Sequence, residues 1–310
     1  WKTIVQISDF EKASLKKLKV ETLYLKYFDV DWNRVTKGPM PVAKIRIPTA
    51  EYLKSKKIIP TIFITNECIL AIDSTQIKPL ADKILSLVKE THQLYNLNPL
   101  FEIQIDCDWS PKTRVRYFNL LEVLQKLDSS ILFSATIRLH QIKFSEATGI
   151  PPVKKGLLMC YNMGNLKDPA VKNSIIDAAE FQKYTSNLKN YPLQLDIGLP
   201  LFDWNVLFRN GTYQGLIPSL EPEAFKSSLF KKEKNEITVL ADSTWRGYEL
   251  KKNDRIRQEE SSFDEIKMIE KILQKELKEK KLRVSLFHLD SIILNKKNYE
   301  TLENIYTGLR

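Results

Sequence analysis

The chain has 310 residues, of which 43% are hydrophobic and 10% aromatic, so it can bury a large core and is not a disordered chain. Its formal net charge of +10 comes from scattered lysines, often beside glutamates as in Lys275-Glu276-Leu277-Lys278-Glu279-Lys280-Lys281. With no arginine-rich arm and no zinc-finger or RNA-binding signature, that pattern is a solvated surface and excludes a nucleic-acid partner.

The opening Trp1-Lys2-Thr3-Ile4-Val5 reads as a strand already under way, so the natural start is expected upstream. An export signal trimmed with it would place the protein in the periplasm or on the cell surface; without one it is cytoplasmic. Asp9 to Leu18 is predicted as a helix and Leu23 to Trp32 as the second strand. Pro60 to Glu67 gives the third strand and Leu80 to Glu90 a helix, with Leu80, Ile84, Leu87 and Val88 on one side.

Phe101 to Asp108 is the fourth strand, and Ser110 and Pro111 supply an N-cap and a first helical residue for the helix after it. Ile131 to Arg138 is the fifth strand, Leu157 to Asn162 the sixth, and Asp177 to Leu188 a helix. Leu193 to Leu199 is the seventh strand. From Pro200 to Glu260 turn residues (Asn210-Gly211, Pro218, Pro222) and two strand-like runs, Ile237 to Ala241 and Tyr248 to Arg257, indicate a β-rich segment. The regular pattern resumes at Ser262-Phe263-Asp264-Glu265, a capping box that opens a helix. Val284 to Leu289 is the eighth strand and Tyr299 to Leu309 the last helix.

Eight strands separated mostly by helices predict an α/β fold, a (β/α)8 TIM barrel with a β-rich insertion after strand seven. Residues 1–310 are read as a single barrel domain, with 201–261 an insertion on its C-terminal face. No glycine-rich nucleotide loop opens any helix. No cofactor is expected. Three well-separated cysteines (Cys68, Cys107, Cys160) give no disulfide framework, three histidines without a His-x-His pair give no zinc site, and no run approaches the roughly 20 apolar residues of a membrane span. The oligomeric state is left open.

Alternation along each strand turns Tyr24, Lys26 and Phe28 inward on strand two, Phe63, Thr65 and Glu67 on strand three, and Gln104, Asp106 and Asp108 on strand four. Strand five contributes Ser134, Thr136, Arg138 and, at its end, His140, strand six Met159, Tyr161 and Met163, and strand seven Asp196 and Gly198. Asp29 and Asp31 fall on the face opposite Lys26 and are expected to cap the following loop. Because an unpaired buried charge is costly, Lys26 and Arg138 should pair with Asp106, Asp108 or Asp196. That set fits a structural ion-pair network as well as a polar pocket. Trp32, Trp109, Trp204 and Trp245 fall at or past strand ends or in the insertion, and together would make an aromatic platform suited to sugar rings.

The run Gln104-Ile105-Asp106-Cys107-Asp108, the aromatic-rich helix after it, the strand Phe133-Ser134-Ala135-Thr136, and Tyr27-Phe28-Asp29-Val30-Asp31 resemble an uncharacterised bacterial barrel family, DUF3142. The resemblance implies a bacterial TIM-like barrel related to glycoside hydrolases with no established activity. More distantly, the fourth strand resembles the family 18 chitinase motif Asp-x-x-Asp-x-Asp-x-Glu. Asp106 and Asp108 match its second and third aspartates, Ile103 stands at the first, and Ser110 stands at the glutamate acid. Met159-Cys160-Tyr161-Asn162 is similar to that family's sixth-strand Met-x-Tyr-Asp, with asparagine for aspartate. Without the glutamate, that family's substrate-assisted hydrolysis does not carry over.

Two functions from different classes follow. One is a glycoside hydrolase-like barrel with Asp108 and Glu67 as the catalytic carboxyl pair and Asp106 orienting its neighbour, substrate being bound by Lys26, Arg138, Tyr161, Asp196 and the tryptophans. A carboxyl separation of ~5–5.5 Å would mean retention and ~6.5–9.5 Å inversion. The other is a non-catalytic glycan-binding or scaffold protein on a degenerate glycosidase barrel.

Overall fold

The computed structural model describes residues 2–217, 220, 228–277 and 282–309. Trp1, Pro218, Pro222 and the Lys278 to Lys281 part of the lysine run lie outside them. The chain forms two compact units. The first comprises Trp1–Met159, Thr185–Ile197 and Glu279–Val284, the second Cys160–Tyr184, Gly198–Lys278 and Ser285–Arg310.

The first unit is built on β1 (Thr22–Asn33), β2 (Gly38–Val42), β3 (Lys57–Ile64), β4 (Glu102–Asp106), β5 (Leu132–Arg138) and β6 (Lys155–Met159), followed by the first residues of β7 (Gln194–Pro200). The sheet runs in the order β7-β6-β5-β4-β3-β1-β2, and the β1–β3, β3–β4, β4–β5 and β5–β6 pairs are parallel. β2 returns antiparallel, as a hairpin partner of the long β1. The expected first strand is reduced to a single bridge between Ile4 and Arg46.

Parallel strands joined by helices must bury one face under those helices. That face carries Ile62, Ile64, Ile103, Ile105, Cys107, Phe133, Ala135 and Ile137, each no more than 1% exposed. Burial of such a side chain contributes about 1.5–3 kcal/mol. The covering helices Ser74–Leu94 and Arg114–Leu127 supply Ile77, Leu80, Ile84, Val88, Tyr117, Leu120, Leu121 and Leu124. The former extends beyond Pro79 to a capping box on Asp73, so it is longer than predicted. The latter starts at Arg114, because Ser110 to Thr113 form a separate turn closed by Thr113 N–H on Ser110 O at 3.0 Å. Ser110 is therefore not the N-cap. At Gly156 an added Cβ would lie 2.7 Å from Ile137 Cγ1 and 3.1 Å from both Leu193 and Leu195, so β6 can pack there only without a side chain.

The second unit contains the segment after β7. β8 (Asp203–Arg209), β9 (Thr212–Ile217), β10 (Phe230–Glu233), β11 (Glu236–Val239) and β14 (Arg255–Glu260) form an antiparallel sheet in the order β10-β11-β14-β8-β9. β12 (Ser243–Trp245) and β13 (Tyr248–Leu250) make a separate two-stranded ribbon. One face of the larger sheet has its own core of Leu207, Ile217, Phe230, Ile237, Val239, Leu250 and Ile256. The helix Phe263–Glu276 starts at Ser262 as predicted, although the capping box is half formed. Glu265 N–H bonds Ser262 Oγ, but the Glu265 carboxylate turns to Ala178 N–H at 2.6 Å. β15 (Val284–Phe287) is the eighth predicted strand.

The fold is of the α/β (β/α)8 TIM-barrel class, with a curled parallel sheet and a β-rich insertion after the seventh predicted strand. Among the described residues no helix is long and apolar enough to cross a membrane.

Candidate functional site

The inward face of the first unit carries polar side chains in two tiers. Near the strand starts, Glu102 accepts from Ser134 Oγ at 2.7 Å and from Arg283 Nη1 at 3.0 Å. Arg283 also donates to Tyr24 Oη at 2.8 Å, and its backbone N–H donates to Asp196 Oδ1 at 3.0 Å. Lys155 Nζ lies 2.6 Å from Asp196 Oδ2. Thr61 and Gln104, 3.2 Å apart, sit further along the strands. The charged groups at the strand-start end are thus neutralised by one another. Glu102 and Asp196 are 1% and 2% exposed, burial that carboxylates tolerate only when paired.

The upper tier lies at the C-terminal ends of the strands, where barrels of this class place their chemistry. Asp106, 2% exposed, accepts from Thr136 Oγ1 at 2.6 Å, and Arg138 Nη2 stands 4.0 Å away. Burial holds the Asp106 carboxyl above its ordinary range, against the opposing pull of Arg138 and Thr136. Asp108, two residues on, is half exposed and accepts a short hydrogen bond from Arg138 Nε. Lys26 Nζ bonds Asp29 Oδ2 at 2.8 Å, and Asp31 Oδ1 accepts from Thr65 Oγ1 at 2.9 Å. Asp29 Oδ1 is shielded from solvent and accepts no hydrogen bond from the described residues.

This corrects the expectation for Asp29, Asp31 and Phe28. The β1–β3 register slips between Lys26 and Phe28, a β-bulge at Tyr27, and one extra residue reverses every later side chain. Phe28 therefore turns to the helix side and is 1% exposed, while Asp29 and Asp31 join Lys26 on the inner face. Tyr27, the extra residue, hydrogen-bonds His92 Nδ1 at 2.8 Å from the Ser74–Leu94 helix. Lys26 pairs with Asp29 rather than with Asp106, Asp108 or Asp196. Arg138 pairs with Asp108 as expected, and Asp196 is taken by Lys155 and Arg283.

The remaining predicted positions are dispersed. Glu67 does not end a strand. It lies in the first turn of the helix Asn66–Ala71, capped by Thr65, and its half-exposed carboxylate accepts from Arg34 Nη2 at 2.7 Å. Trp109 is fully buried, stacked on Tyr117 at 5.2 Å, with its indole N–H bonded to Thr148 O, so no sugar can reach it. Trp32 is half-buried at the far end of β1, on the face opposite Asp31.

In the second unit, Tyr161 follows β6 in a loop. It is 5% exposed and its ring stacks on Phe287 at 5.4 Å. Trp204 donates its indole N–H to Glu259 Oε2 at 2.6 Å, and Trp245 packs edge-on against Phe230 on the insertion core. Trp109 and Trp245 thus leave the predicted platform, each for an apolar core. Among the described residues no three His, Cys, Asp or Glu side chains converge as a metal site.

No family model matches the chain, and no curated protein matches its sequence. Solved structures do match in fold. A chitinase from Chromobacterium violaceum superposes with a TM-score of 0.56 at 8% identity, covering 98% of this chain and 97% of that one. The spore cortex-lytic enzyme of Bacillus cereus gives 0.57 at 14% identity over 97% of this chain and 71% of that one. A chitinase-like agglutinin from Robinia pseudoacacia gives 0.53 at 11% identity over 96% and 95%. At such identities the likeness defines a fold and leaves the chemistry to the site.

Proposed function

We propose that the protein binds a carbohydrate at the strand ends that carry Asp29, Asp106, Asp108 and Arg138, on a glycosidase-like barrel that does not hydrolyse it. The observation that carries this reading is the Arg138 guanidinium seated on Asp108. That pair offers acceptor oxygens and N–H donors side by side, as a sugar diol needs.

The other carboxyl assigned to hydrolysis is also committed, Glu67 to Arg34. Ser110, at the position that resembles the chitinase glutamate, shares its N–H and hydroxyl with Thr113 Oγ1 at 2.8 and 3.3 Å. The solved structures of this fold include enzymes and an agglutinin by name, so the fold agrees with either function.

A hydrolytic reading retains one support, the raised Asp106 carboxyl, which holds a proton more readily than an ordinary aspartate. The test is a panel of chitin, peptidoglycan and plant-type oligosaccharides, followed by thermal shift and by product analysis. The expected result is binding without products, weakened about tenfold or more in Asp108→Asn, the loss of one charge-assisted hydrogen-bond partner. Products formed by wild-type protein and abolished in Asp106→Asn would establish the hydrolase instead. No binding to any member of the panel rejects both.

A further inference from the structure

The backbone ladder between β4 and β5 ends with the pair Ile105 and Ala135. Asp108 and Arg138 each lie three residues beyond that pair, where no ladder bond fixes the separation of the two chains. One side chain takes over there. The amide of Gln141, fully buried, accepts from the Arg138 backbone N–H at 2.8 Å through Oε1 and donates from Nε2 to the Trp109 carbonyl at 3.2 Å. It therefore ties the residue after Asp108 to Arg138 itself.

Gln141 is in turn held in place. The Thr148 hydroxyl proton is shared between the Phe144 carbonyl at 3.0 Å and the Gln141 backbone carbonyl at 3.3 Å, and the Trp109 indole N–H donates to the Thr148 carbonyl at 2.9 Å. These bonds close a ring of Trp109, Gln141 and Thr148 behind the ion pair, and all three residues are at most 4% exposed. A buried amide with both ends satisfied is rigid, since breaking either bond strands a polar group away from water.

We infer that Gln141 is a positioning residue that sets the Asp108–Arg138 geometry and, through it, the affinity for sugar; the second half of this inference rests on the carbohydrate reading above. An apolar residue of the same length would fill the space but could not bridge the two strand exits.

The test compares full-length wild type with Gln141→Met, which is near-isosteric, and with Gln141→Asn, which keeps the amide but is one methylene too short to reach both exits. Two readouts are taken: hydrogen exchange at the Arg138 Nε–H by NMR, and affinity for whichever oligosaccharide of the panel, N-acetylchitotetraose included, wild type binds. Both variants are expected to speed Arg138 Nε–H exchange about tenfold and weaken sugar binding about tenfold, the equivalent of one hydrogen bond to a charged group. Gln141→Glu keeps the acceptor for Arg138 N–H and is expected to restore part of both.

Unchanged Nε–H exchange in a folded Gln141→Met or Gln141→Asn protein overturns the positioning role. Faster exchange with unaltered affinity overturns its link to binding. If Met does not fold, the Asn variant decides. Wild-type protein that binds no sugar rejects the carbohydrate reading, and the exchange comparison still decides the positioning role.

Discussion

Glu270 offers a quantitative test of the structure because its environment opposes its charge. It lies on the inner side of the helix Phe263–Glu276 and is 7% exposed, and its Oε1 has no hydrogen-bond partner among the described residues. Against it packs Gly308, where an added Cβ would come within 2.8 Å of Glu270 Oε2. Burial pushes the carboxyl up from 4.5 to about 7, with Lys267 pulling weakly the other way. Since the folded value exceeds the unfolded one, the folded state binds the proton more tightly. The resulting stability is fully present below pH 4.5 and is lost as pH rises through 7. Each tenfold difference in proton affinity between the folded and unfolded states is worth about 1.4 kcal/mol, so the loss reaches about 3 kcal/mol by about pH 8.5. Glu270→Gln removes the charge and keeps the shape. It should leave stability near that of wild type at about pH 4.5 and raise it by about 3 kcal/mol at about pH 8.5, roughly 5 °C in Tm or more. The assay is denaturant and thermal unfolding of both proteins across about pH 4.5–8.5. A wild-type and variant difference that does not change with pH would refute the burial argument.

Four further outcomes follow from the same reasoning. Burial lowers the His92 pKa, so the stability its neutral ring gives is present above about pH 6.5 and is lost as pH falls below that. Tyr27→Phe, which removes the hydrogen bond to His92, should cost about 1 kcal/mol at about pH 8 by urea unfolding. Glu102→Gln leaves Arg283 with Asp196 as its carboxylate partner, at 3.7 Å, and should destabilise by about 2–3 kcal/mol, whereas Lys57→Gln, an exposed pair member, should change stability by less than about 1 kcal/mol. Gly156→Ala forces a Cβ against Ile137 and should cost about 1–3 kcal/mol in the same assay. In Glu259→Ala, the Ser174 amide, bonded to Glu259 Oε2 at 2.9 Å, should exchange its hydrogen at least about tenfold faster, as read by mass spectrometry.

Strand alternation made the upper tier legible wherever the strand was regular. Asp106, Asp108 and Arg138 came together because nothing interrupts β4 or β5. On β1 the same rule failed after Lys26, and no glycine or proline marks the bulge at Tyr27, so Asp29 and Asp31 were assigned to the wrong face. Glu102 shares its parity with Gln104 and Asp106 and was available to the rule, but it sits at the strand start, where acids suggest a solvent-exposed end. Lys155 was missed because β6 begins two residues before its apolar run. Arg283 lies just before β15 and could not be found from alternation. The tryptophans failed for a different reason: position near a strand end does not say whether a ring faces the mouth or the helices. For Trp109 the space behind Asp108, lined by Tyr117 and Phe118, is the larger apolar surface.

The two tiers of inward charge differ in kind, and that difference bears on the choice between binding and hydrolysis. At the strand starts each charge has at least one opposite partner within 4 Å, and Glu102 and Asp196 are removed from water. Such groups fix which strands neighbour one another. At the strand ends the pairing is looser. Asp108 is half exposed, and the Arg138 Nη2 that approaches Asp106 stays 4.0 Å from it. A hydrolase needs one carboxyl that holds a proton within reach of the leaving oxygen. The carboxyl here that burial favours in its protonated form, Asp106, has its side chain 3% exposed and accepts from Thr136, so the acid lies beneath the solvent-exposed surface. What reaches that surface is Asp108 with Arg138, an ion pair that presents acceptor oxygens and N–H donors side by side.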